Sequence, residues 1–354
     1  MTGIGETVGI SVDICDPRVD PEPADYAAFR KAAELFVPWD YRLTGIESWS
    51  SRNPLVLALV RVDGVLCAAF SAMICRSGRE RPVPGPVGGA VRFTPRWVEV
   101  AQPWLSGVPG WGYAEELGPD AQRDIVRAFE RAICRFVGPG CLGLIYQSVR
   151  PDRLAQLSGF GRYVRPGIPD SAMDNTFGSA QDWLDGLGRK RRSQLRGQFR
   201  RVDEDEDLVA VAAPARTDVD GAELAALLYR HRERRGRFHF DGRSPASGTY
   251  LTALVAHSEV HTLTYRDQAG RLLAFFTGLL GARTLIGQHW AIRDRDDGGK
   301  PDLYFAMYRH AVQLMIEGGY ATLSMGRGLP ELKERLGFGP RPISLVAVPR
   351  PVAG

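Results

Sequence analysis

Apolar residues in this chain gather into short unbroken runs and into helical stripes, and the alternation of the two predicts its elements. Leu55–Val62 and Val65–Cys75 are Val- and Ala-rich runs that meet at Asp63-Gly64. Two such runs joined by Asp-Gly predict a β-hairpin, because that dipeptide tolerates the left-handed backbone of a tight turn. A leading strand is expected over Val8–Ile14 and a helix over Asp25–Phe36. Val91–Trp111 is expected to hold short strands, with Trp97, Trp104 and Trp111 as core or pocket wall. Asp120–Val137 repeats with the helical period, and Leu142–Gln147 reads as a buried strand. Two stretches, Arg76–Gly89 and Gly161–Gly178, read as a Pro/Gly-rich loop and a linker.

The second half begins at Ser179, which is placed to cap a helix starting AQDWLDGLGRKRRSQLRGQFRRV. Leu184, Leu187, Leu195, Phe199 and Val202 fall on one stripe of it. A further helix is expected over Ala222–Arg234, running into a loop with His239 and Asp241. Three strands follow, at Val260–Arg266, Arg271–Leu280 and Thr284–Ala291. On the helix from Asp302, the residues Leu303, Met307, His310, Ala311 and Leu314 share a stripe, so His310 reads as a core histidine. Ala321–Met325 is a strand, Gly326-Arg327-Gly328 a loop, and Pro330 starts a short helix closed by Gly337-Phe338. Ile343–Val348 is the last strand.

The pattern repeats. Gly159-Phe160 and Gly337-Phe338 are 178 residues apart in a chain of 354, and the same offset lays Ala121–Val137 on Gly299–Met315 and Leu142–Gln147 on Tyr320–Met325. Two domains follow, 1–165 and 166–354, each a mixed, mostly antiparallel sheet flanked by helices in an α/β (α+β) class. Lys333 falls on Ala155 in this register, so the first copy reads as degenerate and the second as the one with a site.

Composition adds little until charge is located. Hydrophobic residues make up 44% of the chain and charged ones 24%, which describes a globular protein able to bury cores. No run approaches the ~18 apolar residues of a membrane span, and the N-terminus lacks the regions of a signal peptide, so a cytoplasmic protein without membrane contact is expected. Five cysteines without CxxC pairing read as reduced thiols, and no cluster has metal-ligand spacing.

The net charge is only +4, yet seven cations and no acid lie between Arg189 and Arg201, followed by Asp203–Asp207 (DEDED). A solvated face neutralised by that acidic run is one reading. The cations surround more than half the helix and Arg191 lies on the apolar stripe itself, which favours an anionic partner, a polyphosphate or an RNA backbone. Only four of the 45 cations are lysines, and one of them, Lys333, follows the Arg327 loop at the end of a strand. A compact ammonium there could sit beside an oxyanion.

The segments WLDGLGRKRRSQLR, DLYFAMYRHAVQLMIEGGY and MGRGLPELKERLGF, spread over Trp183–Phe338, resemble the GNAT-type acyltransferases in their duplicated branch, which includes the Fem-type peptidoglycan aminoacyltransferases. The resemblance implies that Lys333 stabilises the carbonyl oxygen of the reacting acyl group and that the basic helix meets the donor. CoA-using GNAT domains carry a glycine loop whose N–H groups hold pyrophosphate before the long helix. The matching stretch here, Arg293–Pro301, has three acids and no such loop. Aminoacyl-tRNA is therefore the expected co-substrate, with acyl-CoA the alternative and no bound cofactor.

The expected activity is transfer of an aminoacyl or acyl group from an activated ester to an amine or hydroxylamine of a small acceptor. Lys333 and Arg327 would be catalytic, and Lys190, Arg192, Arg196 and Arg200 would bind the donor. No heptad run matches the coiled-coil arm of some Fem enzymes, which weakens a peptidoglycan role and leaves a small-molecule pathway equally open. The rival readings are an acyl-CoA N-acyltransferase and an RNA-binding relic without chemistry.

Overall fold

The computed structural model describes residues 9–76, 95–102, 104–234 and 245–354. The loop with His239 and Asp241, and most of Arg76–Gly89, lie outside the described residues. The chain divides into two compact units, one within residues 1–168 and 342–354 and the other within 169–341.

In the first unit, β1 (Ile10–Cys15), β2 (Leu55–Val62), β3 (Val65–Arg76) and β4 (Arg96–Val100) form an antiparallel series. A short β5 (Trp111–Tyr113) also pairs with β3. β6 (Cys141–Val149) joins β4 in parallel, and β7 (Tyr163–Pro166) closes the far edge. The turn at Asp63-Gly64 has positive φ at both residues, 50° and 84°, as the Asp-Gly pair predicts. β2 is apolar from Leu55 to Val60 because that stretch is buried on both faces. Val56, Ala58 and Val60 pack toward the long helix, while Leu57 and Leu59 meet Tyr26 and Trp39. The helices are α1 (Tyr26–Ala32), α2 (Tyr41–Ser50), α3 (Pro119–Val137) and the single turn α4 (Leu154–Leu157). α3 lays Ile125, Phe129 and Ile133 on the sheet, with the Phe129 ring stacked 4.1 Å from that of Phe70.

The second unit holds β8 (Asp170–Asp174), β9 (Leu208–Pro214), β10 (Val260–Asp267), β11 (Leu272–Leu280), β12 (Thr284–Ile292), β13 (Thr322–Ser324) and β14 (Gly339–Arg341). Its helices are α5 (Ala180–Gly186), α6 (Arg189–Asp203), α7 (Gly221–Arg234), α8 (Gly248–Val255), α9 (Leu303–Glu317) and α10 (Pro330–Glu334). The last strand, β15 (Ser344–Pro349), pairs with β6 and β7 in the first unit's sheet.

The two sheets have the same order. Four antiparallel strands lead to a parallel fifth, then an antiparallel sixth and seventh: β1-β2-β3-β4-β6-β15-β7 and β9-β10-β11-β12-β13-β8-β14. Each half of the chain thus supplies the sixth strand of the other sheet. Gly161–Gly178, expected as a linker, contains β7 and β8, and the last strand belongs to the first sheet. Both strands are short and poor in β-branched residues, so pairing partners far away in sequence decide their conformation.

The helix expected from Ala180 is two helices. Ser179 caps the first, its Oγ accepting from Asp182 N at 3.1 Å, and the chain breaks at Leu187-Gly188 before α6 begins. The repeat holds through α3 and α9, β6 and β13, α4 and α10, and then diverges: Phe338 is 3% exposed while Phe160 is 95% exposed.

His310 is half-buried on α9, and its Nε2 lies 2.9 Å from Nε2 of the buried His261 on β10. Burial holds both imidazoles below their usual range, His310 at about 4, and His261 on one side and Arg309 on the other reinforce the effect against Glu317. Arg216 adds to it at His261. The folded chain therefore refuses protons that the unfolded chain takes up near pH 6.5, and stability is lost as pH falls from there toward 4. Lowering pH from 7 to 4.5 should reduce the unfolding free energy of the native chain by about 2 kcal/mol more than that of His310→Gln. Equal losses in urea titrations of the two proteins would refute a titrating pair.

Candidate functional site

The site in the second unit grows out of a split between two parallel strands. β12 and β13 pair over three rungs, Thr284↔Thr322, Leu285↔Leu323 and Ile286↔Ser324. β13 then ends while β12 runs on to Ile292, which opens a notch. Within that continuation β12 bulges: Gly287 and His289 face Gly278 and Thr277, so Gln288 is the extra residue. Gly287 is there for close approach, since a Cβ would stand 2.5 Å from the Met325 sulfur. Both polar atoms of the Gln288 amide and the Trp290 Nε1 are buried with no hydrogen-bond partner among the described residues. Buried polar atoms without partners are uncommon, and they collect where a ligand supplies the missing bond.

Beside the end of β13 lies a polar cluster. Ser324 Oγ donates to Asp170 Oδ2 at 2.6 Å, while Asp170 Oδ1 has no hydrogen-bond partner among the described residues. Burial pushes the Asp170 carboxyl up from the usual carboxylate range, against Ser324, Lys333 and Arg327, which favour its ionised form. Lys333 is 3% exposed, and its Nζ donates to Met325 O at 2.5 Å and to Gly326 O at 2.7 Å. Burial pulls the Lys333 ammonium down to about 8, opposed by Asp170. The same loop is fixed from the other side, by Met325 N on Ser171 O and Ser171 N on Gly326 O. Lys333 therefore ties α10 to the loop that carries Arg327, and one of its three N–H groups is left for another acceptor.

The seven cations of the basic helix divide into four groups. Arg192 Nη1 donates to Asp185 O at 2.7 Å, and Arg196 pairs with the Asp185 carboxylate at 2.9 Å. Arg201 holds Asp302, just before α9, at 2.7 Å. Arg189, Lys190 and Arg200 are exposed. The DEDED run does not neutralise this helix. Asp203 takes Arg309, and Asp205 and Asp207 take Lys300. Arg191 turns inward, its guanidinium 4.6 Å from the centre of the Phe305 ring.

Of the expected site residues, Lys333 and Arg327 converge on Asp170, whereas Lys190, Arg192, Arg196 and Arg200 face outward or toward Asp185. Sequence reasoning missed Asp170, Ser324 and Gln288, whereas Arg191 turns inward as its place on the apolar stripe suggests. The only trace of Gln288 is a polar residue inside the apolar strand run Thr284–Ile292. In the first unit, the place of Lys333 is the exposed Ala155, at a cleft of about 590 Å³ lined by Glu34, Glu115 and Glu116. Among the described residues no three His, Cys, Asp or Glu side chains could hold a metal ion, and no helix is long and apolar enough to cross a membrane.

Residues 189–334 match the family described as the acetyltransferase (GNAT) domain. No curated protein matches the chain in sequence. Solved structures share its fold. L-PGS from Bacillus licheniformis superposes with TM-score 0.59 at 14% identity, over 92% of this chain and 91% of that one. FemX gives 0.57 at 10% identity, over 92% and 96%. The C-terminal domain of a putative lysylphosphatidylglycerol synthetase from Agrobacterium fabrum gives 0.53 at 12%, over 91% and 92%. Residues 189–334 are thus similar to the GNAT acetyltransferase domain across the split strands, and the doubled sheet is a fold that the chain shares with L-PGS and FemX.

Proposed function

We propose that this protein moves an aminoacyl group from aminoacyl-tRNA to an amine or hydroxylamine of a small acceptor, in the notch of the second unit. In this reaction the acceptor nitrogen attacks the ester carbonyl, the C–O bond to the ribose breaks, and the nitrogen's proton passes to the departing hydroxyl. No protein nucleophile is needed, only orientation of both substrates and stabilisation of the oxyanion. Lys333, with one N–H uncommitted, takes the oxyanion, and Arg327 adds charge at the same place.

The donor assignment rests on one observation, the distribution of charge. Arg189, Lys190 and Arg200 are exposed on α6 while the acidic run beside them serves Arg309 and Lys300. An exposed cationic helix face suits a phosphodiester backbone. The N-terminus of α9, where a GNAT domain would take pyrophosphate, is preceded by Asp294, Asp296, Asp297 and Asp302. Four carboxylates there oppose the phosphates of CoA. A fold shared with FemX and with a putative lysylphosphatidylglycerol synthetase supports the same reading. Charged tRNA as donor implies a cytoplasmic reaction.

The test offers the protein charged tRNA pools and acyl-CoAs and asks which is consumed. In tRNA binding measured against salt, Lys190→Ala and Arg200→Ala should each flatten the log–log slope by about one for every phosphate that the native side chain neutralises. Consumption of acyl-CoA with no tRNA affinity would replace this reading by the acyl-CoA one.

A further inference from the structure

We propose that Arg191 anchors an oxyanion subsite that takes the phosphoryl group of a small substrate, separate from the outward cations that serve the donor. The Nε and Nη2 atoms of Arg191 are buried and have no hydrogen-bond partner among the described residues. These two atoms form the edge of a guanidinium that grips a carboxylate or phosphate with two parallel bonds. A charged edge removed from water and left unpaired is unfavourable by several kcal/mol, so a protein keeps one where a ligand completes it.

The surroundings favour an anion. The neighbouring charge felt at Arg191 is another cation, Arg335, which acts with burial to hold the guanidinium below its usual range. Ring contacts lead from Arg191 into the notch: Phe305 at 4.6 Å, Phe305 to Tyr304 at 5.7 Å, and Tyr304 to Trp290 at 5.8 Å. Trp290 presents a buried, unpartnered N–H, and Gln288, two residues earlier on the same strand, an unpartnered amide. Unsatisfied donors therefore outnumber acceptors along this path, which fits a ligand rich in acceptor oxygens. Two guanidinium charges match a phosphate dianion better than a carboxylate. The buried edge also argues for a small group, since a polymer backbone would run along the exposed Lys190 and Arg200 instead. The inference holds whichever acyl donor the enzyme uses.

Binding of phenyl phosphate, inorganic phosphate and benzoate to the full chain tests it by calorimetry. Phenyl phosphate should bind, with benzoate at least about ten-fold weaker. Arg191→Met, which keeps the packing on Phe305, should weaken phenyl phosphate at least ten-fold, and Arg191→Lys nearly as much, because an ammonium lacks the two-pronged edge. Deacylated tRNA should bind Arg191→Met as it binds the native chain. The unfolding midpoint of Arg191→Met without phosphate should be equal to or above that of the native chain. Benzoate binding as well as phenyl phosphate, loss of tRNA affinity, or a lowered midpoint without ligand would each overturn the assignment. So would phosphate binding that survives Arg191→Met.

Discussion

Arg162→Met is expected to destabilise the first unit by about 3–5 kcal/mol, the largest stability change of any single replacement considered for this chain. The Arg162 and Glu130 side chains are 1% and 0% exposed and meet through two hydrogen bonds, at 2.8 and 2.5 Å. Tyr146 Oη and Gly354 N also donate to Glu130, at 2.9 Å each. Burial pushes the Glu130 carboxyl up to about 7 even so. Removing the guanidinium leaves a buried carboxylate without its main counter-charge, and the full desolvation penalty returns. The sign with pH follows. A carboxyl whose folded value is raised favours the folded state below the unfolded value near 4.5 and loses that advantage as pH rises through the folded value. The damage in Arg162→Met should therefore be smaller at pH 5 than at pH 8. Urea unfolding followed by the fluorescence of Trp104 and Trp111, both in the first unit's buried set, reads it directly. The pair Arg162→Met with Glu130→Leu should recover most of the loss, because two apolar side chains leave no charge stranded. A loss under 1 kcal/mol in the single variant would mean that water reaches Glu130.

Elements governed by local chemistry were legible in the sequence, and those governed by distant partners were not. The Asp63-Gly64 hairpin, the stripe of α3 and the Pro330–Gly337 helix carry their own punctuation, and the structure has all three. α2 was missed although Asp40 caps it, its carboxylate accepting from Leu43 N at 3.0 Å, because Thr, Gly and Ser fill its interior. α8 was missed under a similar cap at Ser247. β9 lies at a sheet edge and is mostly exposed, so it shows no buried alternation. β8 was missed inside the expected linker, and β15 was expected as a strand, though its place in the first sheet was not. The site divides along the same line. Lys333 stood out as a rare residue type, and the structure buries it beside Asp170. Asp170 itself is 163 positions away in the sequence, in what read as a linker, and nothing local marks it. Charge counting found α6 and the apolar stripe set Arg191 apart from its outward neighbours, but only packing shows that it lies on Phe305.

Under the proposed chemistry, Lys333→Ala lowers kcat by about 10²–10³ and leaves donor affinity nearly unchanged, because the interaction strengthens only as charge develops on the carbonyl oxygen. A purely structural lysine is the competing account, since Nζ already holds the Met325 and Gly326 carbonyls. The two accounts separate above pH 8. Burial pulls the ammonium to about 8, so a reaction that needs the charged form slows as pH rises through that value. Stability moves the other way. A lysine whose folded value is depressed destabilises the fold while it is charged, and the penalty is relieved between about 8 and its unfolded value near 10.4. The native protein should thus become a poorer catalyst and a more stable fold over the same pH range, whereas loss of a structural tether would lower both together. Lys333→Arg should not restore the rate, because a broad planar fork does not fit a site built around two carbonyls. Ala155→Lys in the first unit should gain nothing, for Ala155 is exposed and a lysine there stays in water. Turnover in Lys333→Ala within about three-fold of native, measured with whichever donor the protein consumes, would take Lys333 out of the reaction and leave it as the pin that holds the Arg327 loop.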